Sequence, residues 1–223
     1  MKRITLVYFL AIVFLVTASS LSIAEEELPE VTLDGLHHVK DSNLALVYAQ
    51  PGVDFSQYQR VHLADAYIAF KKNWQRSQSR SGSQKVSAND MEKIKAELAS
   101  LFRQVFTETL ENGGYELVTE RAEDVLIIKP AIINLYIVAP DTSTQISHTY
   151  SETAGEMTLY LELYDSVTDD LIAKALDRQL GRETGYFEWR NRGTNRAAAN
   201  RILKVWANVL KEGLDEARSV TGQ

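Results

Sequence analysis

The chain has 223 residues, of which 45% are hydrophobic and 24% charged, and its formal net charge is −6 at pH 7. Such a composition is typical of a globular protein with a hydrophobic core, and the acidic balance disfavours nucleic acid as a partner because phosphate is repelled. The chain contains no cysteine, which excludes disulfides, thiol catalysis, cysteine-based zinc sites and lipid attachment at a cysteine.

The first 24 residues predict a signal peptide. Lys2 and Arg3 precede an apolar run at 4–16, and small and polar residues follow as far as Ala24, which is the order of a secretory leader. We expect cleavage after Ala24 and export to a bacterial periplasm. The alternative is an uncleaved anchor in the inner membrane, because residues 4–24 carry no charge; only in that case do we expect membrane contact.

The segment after the leader, residues 25–59, combines acidic residues with Asp-Gly and Pro-Gly turn dipeptides, and this predicts irregular structure. We expect residues 60–223 to form a single α+β domain. A stretch of β-branched and aromatic residues at 60–70 predicts its first strand. The polar, serine-rich residues 71–87 that follow predict a long loop.

Two amphipathic helices are predicted. Ser87 is a candidate cap for the first, with Asp90 in the capping-box position, and the helix extends to residue 112. The second helix is predicted from a cap at Thr194 to Ala217. Apolar side chains recur at helical spacing in both. These stripes are Met91, Ile94, Leu98, Leu101, Phe102, Val105 and Phe106 in the first helix, and Ala199, Ile202, Leu203, Trp206, Val209, Leu210 and Leu214 in the second.

Further strands are predicted between the helices. Residues 115–119 and 124–138 are rich in strand-forming types, and Pro130 within the second run predicts a sheet edge or a bulge, because proline donates no ladder hydrogen bond. Residues 156–165 alternate between apolar and polar side chains, and residues 171–179 are expected to pair with them as a hairpin.

One packed face and one wet face favour antiparallel pairing. The predicted fold class is therefore α+β: a two-layer sandwich with a mainly antiparallel sheet of about five strands and two amphipathic helices on one face.

The sequence contains no familiar catalytic motif, neither a phosphate-binding glycine loop nor a zinc-protease or nucleophile-elbow pattern. We expect no catalytic residue, no metal site and no cofactor. One alternative is a hydrolase that uses carboxylates among Asp165, Asp177 and Glu183, and it requires those groups to converge on a single cleft.

Two segments combine basic and aromatic residues. The first contains Lys71, Lys72, Trp74 and Arg76, and the second contains Tyr186, Trp189 and Arg190. Cations beside exposed aromatic rings suit an envelope protein or an anionic envelope component as partner. The alternatives are a solvated loop for the first segment and aromatic side chains that cover the sheet edge for the second.

Several segments resemble a family of Gram-negative envelope proteins. They are residues 48–58, the motif Gly155-Glu-Met-Thr-Leu159, residues 163–168, and residues 195–206 with Arg201 and Trp206. The family is the domain of unknown function 3313, and the resemblance covers residues 40 to 217. It implies an exported protein with no established activity. Many members look like lipoproteins, but this chain lacks the cysteine that lipid attachment requires.

The sequence thus favours an exported, non-catalytic module that binds a partner at the cell envelope. A small-ligand or lipid carrier, with a pocket of several hundred cubic ångströms between sheet and helices, is the first alternative. The carboxylate-based hydrolase is the second.

Overall fold

The computed structural model describes residues 28–81, 86–138, 149–151, 153–182, 188–190 and 192–221. Its helices are α1 (Trp74–Ser81), α2 (Ala88–Asn112) and α3 (Arg192–Thr221), and a 3-10 turn spans Phe55–Gln57. The strands in chain order are β1 (His37–His38), β2 (Leu46–Ala49), β3 (Arg60–Leu63), β4 (Tyr67–Phe70), β5 (Glu116–Leu117), β6 (Val125–Ile137), β7 (Thr149–Ser151), β8 (Thr153–Asp165), β9 (Leu171–Arg182) and β10 (Glu188–Arg190).

The described strands form a mixed sheet of eight in the order β1-β2-β9-β8-β6-β3-β5, with β4 also paired to β6, and a separate ribbon of β7 and β10. The α+β class is confirmed, but the sheet is larger than the predicted one of about five strands and is partly parallel. Both β3 and β4 run parallel to β6, and β5 runs parallel to β3. The chain passes through two helices between β4 and β6, and such a crossover allows neighbouring strands to be parallel.

Residues 60–70 form two strands rather than the single strand predicted. They pair with successive parts of β6, Leu63 beside Ile128 and Tyr67 beside Ala131. Pro130 lies between these parts, so it is in a central strand and not at an edge. The carbonyl of Ile128 accepts a hydrogen bond from the backbone N–H of Ala64, which follows β3. Because backbone groups two residues apart in a strand point to the same side, the nitrogen of Pro130 also faces that side. The missing N–H therefore faces the gap between β3 and β4.

The hairpin of β8 and β9 follows the predicted alternation. Leu159, Leu161 and their neighbours Met157 and Leu163 are buried in the core, and β9 pairs antiparallel with β8 along its length. The side chain of Asp165 accepts hydrogen bonds from two backbone N–H groups of the connecting turn. The antiparallel direction predicted for this part of the sheet is present. The face predicted to be wet is not exposed, because Thr158 is buried and Tyr160, Glu162 and Tyr164 are half-buried.

The segment at 25–59, predicted to be irregular, contributes the edge strands β1 and β2, and β2 pairs antiparallel with β9. Leu36 and Tyr48 are buried at this edge. The Tyr48 hydroxyl donates to the carbonyl of Pro29 at 2.9 Å, and Lys174 forms an ion pair with Asp34 at 2.5 Å. Turn residues therefore did not prevent short strands, because the tertiary contacts to β9 stabilise them.

Both predicted long helices are present. Ser87 caps α2 in a complete capping box with Asp90. The start of α3 is Arg192, so Thr194 lies inside the helix and is not its cap. The helices contribute large apolar side chains to one core with the sheet: Leu98, Leu101, Phe102, Val105, Phe106 and Leu110 from α2, and Ile202, Leu203, Trp206, Ala207, Leu210 and Leu214 from α3. No helix within the described ranges is both long and apolar enough to span a bilayer.

We call the part of the helix–sheet interface around Trp206 of α3 and Asp177 of β9 the closed end. Trp206 is fully buried there, and its indole N–H donates to the buried carboxylate of Asp177 at 2.7 Å. The same carboxylate accepts from the Ala45 backbone and from the Gln179 side chain. A buried polar group with this many partners is stabilising rather than costly.

Candidate functional site

A cavity of about 130 Å³ lies between the two long helices and the sheet, near the N-terminal parts of α2 and α3. We call this region the open end. Its lining comes from both helices and from three central strands: Lys93, Ile94, Glu97, Leu98, Leu101, Leu135, Tyr136, Ile137, Gly155, Glu156, Met157, Gly181, Asn195, Arg196, Ala198, Ala199 and Ile202. Apolar side chains form most of the wall, and four charged side chains, Lys93, Glu97, Glu156 and Arg196, also line it.

Small residues account for the space. Ala198 and Ala199 of α3 line the cavity, and Gly155 and Gly181 line it from the sheet. Further along α3 the corresponding space is filled by the indole of Trp206. Because protein interiors are normally packed to crystal-like density, small residues on facing elements leave a void that neighbouring side chains do not fill.

An irregularity in the sheet shapes the strand side of the cavity. The register of β6 and β8 shifts between Ile133 and Tyr136, and Asn134 has a φ of 54°. Just beyond the shift, where it pairs with Ile137, Gly155 has a φ of 141°, and a Cβ at this residue would lie 1.8 Å from the carbonyl oxygen of Tyr136. Only glycine permits this conformation and this approach. Gly155 therefore allows β8 to pair closely with the end of β6 at the cavity wall.

Glu156 is the best-connected carboxylate of the lining. It forms ion pairs with Lys71, at 2.7 Å, and with Arg178. Hydrogen bonds from Lys71 and Arg178 lower the pKa of Glu156, and its partial burial opposes them without cancelling the effect. Lys71 also lies 5.8 Å from the ring centroid of Tyr136. The carboxylate is thus neutralised by two cations, so it adds little net negative charge to the cavity.

Two cations of the lining have a different environment. Lys93 of α2 and Arg196 of α3 are both exposed, and neither forms an ion pair or side-chain hydrogen bond with any residue that the structure describes. Glu97, the other lining carboxylate, has a partner of its own. The cavity therefore has an apolar interior and two available positive charges at its solvent side.

The first predicted binding segment is rearranged in the structure. Residues 74–81 form α1, so the loop prediction for 71–87 was wrong over this range. Trp74 is 2% exposed, stacks on Phe70 with ring centroids 4.1 Å apart, and donates to the carbonyl of Ile137 at 3.0 Å. It is a core residue that supports the end of β6 beside the cavity. Lys72 and Arg76 are exposed on either side of it.

The second predicted segment is only partly described. Trp189 and Arg190 lie on β10, where they are paired with Tyr150 and Thr149 of β7. Tyr186 lies outside the described residues, as do the leader, the bond after Ala24 and the carboxylate of Glu183. Binding by this segment stays a prediction.

Two of the three carboxylates proposed for a hydrolase, Asp165 and Asp177, lie far apart. Asp177 is paired with Leu159, six positions along β8 from Asp165, which places the two roughly 20 Å apart at the rise of a β-strand. Paired catalytic carboxylates are about 5–10 Å apart. Asp165 accepts from the Tyr58 hydroxyl at 2.8 Å, and burial together with that bond raises the pKa of Tyr58 to about 12. Both carboxylates thus have structural roles at different ends of the hairpin.

The residues that create the cavity were not predicted from the sequence. Gly155 was part of a motif, but its conformation has no signal in a single sequence. The three successive alanines at 197–199 carry the small side chains on α3, and such a run is equally typical of an ordinary helix. In the described part of the chain, no group of three or more His, Asp or Glu side chains is placed to bind a metal ion.

Several solved structures have a similar arrangement at low sequence identity. A PelC dodecamer from Paraburkholderia phytofirmans is 12% identical, with a TM-score of 0.35, and the match covers 73% of this chain and 95% of that one. A DUF330 protein from Xanthomonas campestris is 12% identical, with a TM-score of 0.43 and coverage of 74% and 89%. A DUF4136 protein from Bacteroides thetaiotaomicron is 14% identical, with a TM-score of 0.35 and coverage of 74% and 95%.

No curated protein matches this sequence. The family described as "Protein of unknown function (DUF3313)" matches residues 31–210, which is most of the chain and includes the cavity lining, the mixed sheet and all but the last turns of α3. The chain belongs to the DUF3313 family.

Proposed function

We propose that this protein is an exported, non-catalytic binding module of the bacterial envelope that holds a small apolar group in the cavity at the open end. The observation that carries the proposal is a cavity of about 130 Å³ with a mostly apolar wall, continuous with the hydrophobic core through Leu98, Leu101 and Ile202. A mostly apolar wall favours an apolar ligand group, because binding removes apolar surface from water.

The size of the cavity limits the ligand. A void of about 150 Å³ accepts a molecule as large as benzene, and pockets for drug-sized ligands are about 300–1,000 Å³. The cavity, at about 130 Å³, is smaller than the sequence-based carrier hypothesis expected. It suits a ring or the distal carbons of an alkyl chain whose other end lies outside the enclosed space, and it is too small to enclose a whole phospholipid.

Titration with n-octanol tests this function. Methyl NMR signals of Ile94, Leu98 and Ile202 are expected to shift in a saturable way, because these side chains line the cavity. Ala198→Leu places three additional carbons in the lining and should abolish the shifts. Ala197→Leu is the matched control, since Ala197 is the exposed neighbour of Ala198 and is not part of the lining.

Binding that is equal in wild type, Ala198→Leu and Ala197→Leu would contradict the proposed location. A complete lack of saturable shifts in the wild type would contradict the proposed function itself.

A second candidate function is partner binding at the start of α1. We define this α1 surface by Lys72, just before the helix, and Arg76, in its first turn. Both side chains are exposed, and neither forms an ion pair with a described residue. These exposed cations form a local positive patch on a protein of net charge −6, and such a patch suits an acidic partner because complementary patches steer encounter and specificity.

Pull-down from periplasmic extract tests this second function. A partner that is retained by wild type and by Lys204→Glu, but lost with Lys72→Glu/Arg76→Glu, would support the α1 surface. Lys204 is the matched control because it is an exposed lysine on α3, outside that surface. Retention that is indifferent to the double change would contradict it.

A further inference from the structure

We infer that the ligand of the cavity is a small anionic amphiphile, a single carboxylate-type head group on a short alkyl chain or ring, with Lys93 and Arg196 binding the head group. This inference rests on the proposed function, because it assigns a chemical class to the ligand of the same cavity. The apolar wall and the charges beside it are independent observations, and together they describe a ligand with two unlike ends.

The positive charges of Lys93 and Arg196 in the lining favour an anionic ligand. Of its four charged side chains, Glu156 is compensated by Lys71 and Arg178, and Glu97 has a partner of its own. Lys93 and Arg196 have no partner among the described residues and are exposed. The uncompensated charge at the cavity is therefore positive, although the chain as a whole is acidic with a net charge of −6.

The positions of the two cations suit a head group at the mouth of the cavity. Lys93 is on α2 and Arg196 is on α3, and both belong to the lining together with apolar side chains of the same helices, Ile94 and Ile202. A ligand whose chain contacts these apolar groups has its head between two helices that each supply one cation. Arginine adds a planar fork of donors that matches a carboxylate, and lysine adds a mobile point charge.

The size of the cavity limits how much of an amphiphile it encloses. A space of about 130 Å³ encloses one ring or one short chain, whereas a diacyl lipid has two long chains. A ligand with a single short chain also leaves its head group accessible to water, so the carboxylate is not fully desolvated and remains ionised at neutral pH.

Three probes with nearly equal alkyl chains and different heads test the inference: octanoate, n-octanol and octyltrimethylammonium. We expect wild type to bind octanoate about three- to tenfold more tightly than n-octanol, because each exposed charge pair contributes a modest amount, and to bind octyltrimethylammonium most weakly. The preference for octanoate should decrease at high salt, since exposed charges are screened. Affinities are measured from the methyl shifts of Ile94 and Ile202.

Substitutions of the two cations distinguish binding of the charged head from binding of the alkyl chain. Lys93→Gln/Arg196→Gln should reduce octanoate binding to the level that the same variant shows for n-octanol. Lys93→Arg/Arg196→Lys should restore the preference, because it exchanges the two cations and keeps both charges. Lys204→Gln is the control for loss of one exposed positive charge elsewhere on α3, and it should leave the preference intact.

Failure of this inference is distinguishable from failure of the proposed function. Saturable binding of n-octanol that Ala198→Leu abolishes, without any preference for octanoate, would overturn the anionic class and leave the cavity function standing. A preference that survives Lys93→Gln/Arg196→Gln would overturn the role of these cations. If none of the three probes binds to the wild-type cavity, both the ligand class and the proposed function are wrong.

Discussion

The closed end and the open end of this protein belong to one helix–sheet interface, yet they differ in packing and in charge. At the closed end Trp206 fills the space between α3 and the sheet, and the polar atoms it meets are paired. At the open end alanine and glycine line a cavity of about 130 Å³, and two cations beside it lack partners among the described residues. The difference indicates that side chains fill the closed end and that space remains at the open end, which is the basis of the proposed function.

The largest expected effect is at the closed end. Trp206→Ala should lower the free energy of unfolding by about 3–5 kcal/mol, because a fully buried indole is lost, and the Asp177 carboxylate also loses a hydrogen-bond donor. Chemical denaturation measures the change. Trp206→Phe is the matched variant: it keeps an aromatic ring and should recover part of the loss. A cost below about 1 kcal/mol for Trp206→Ala would break the comparison between the two ends.

Gly155→Ala should have the next largest effect, about 2–4 kcal/mol, because a Cβ there meets the Tyr136 carbonyl oxygen at 1.8 Å and the φ of 141° is unfavourable for other residues. Denaturation measures the stability, and the octanol titration reports the cavity wall. Gly213→Ala is the control, since nothing lies within 4 Å of a Cβ at this glycine of α3. If both substitutions are equally tolerated, the close pairing at the cavity wall is not required.

A pair of identical substitutions on α3 compares the ends directly. Ala207 is fully buried at the closed end, so Ala207→Leu should destabilise the protein by about 1–3 kcal/mol through overpacking. Ala198 is also buried but lines the cavity, so Ala198→Leu should cost less than about 1 kcal/mol, because the new side chain enters existing space. Thermal and chemical unfolding of the two variants measure the difference. Equal costs would mean that the cavity cannot accept added volume.

The smallest expected effect is the acid sensitivity of Glu156. Its pKa is lower in the folded protein than its ordinary value of 4.5, so its ion pairs contribute stability above about pH 4.5, and this contribution is lost as the pH falls through the folded-state pKa. Glu156→Gln should remove this part of the acid dependence. At neutral pH the substitution should cost only about 0.2–1 kcal/mol, because Lys71 and Arg178 are half exposed or more.

The measurement for Glu156 is the free energy of unfolding from pH 3 to pH 7 for wild type and Glu156→Gln. Asp65→Asn is a suitable control, since Asp65 forms an exposed ion pair with Arg103 away from the cavity. Parallel pH profiles for wild type and Glu156→Gln would contradict a lowered pKa at the open end.

Local sequence patterns determined the elements that depend on neighbouring residues. The apolar stripes of α2 and α3, the capping box at Ser87 and the alternation along β8 were readable because helix and strand periodicities are properties of adjacent residues. The core role of Trp206 was readable for the same reason, since it lies on the apolar stripe of its helix. The family resemblance also came from sequence alone, and the family match over residues 31–210 confirmed it.

Tertiary structure decided the features that depend on distant residues. The parallel pairing of β3 and β4 with β6, the central position of Pro130 and the burial of Trp74 all result from contacts across the sheet. The cavity requires glycine on β8 to face alanine on α3, and its two cations come from different helices. A single sequence specifies which side chains are small or charged, but only packing decides which of them share a surface.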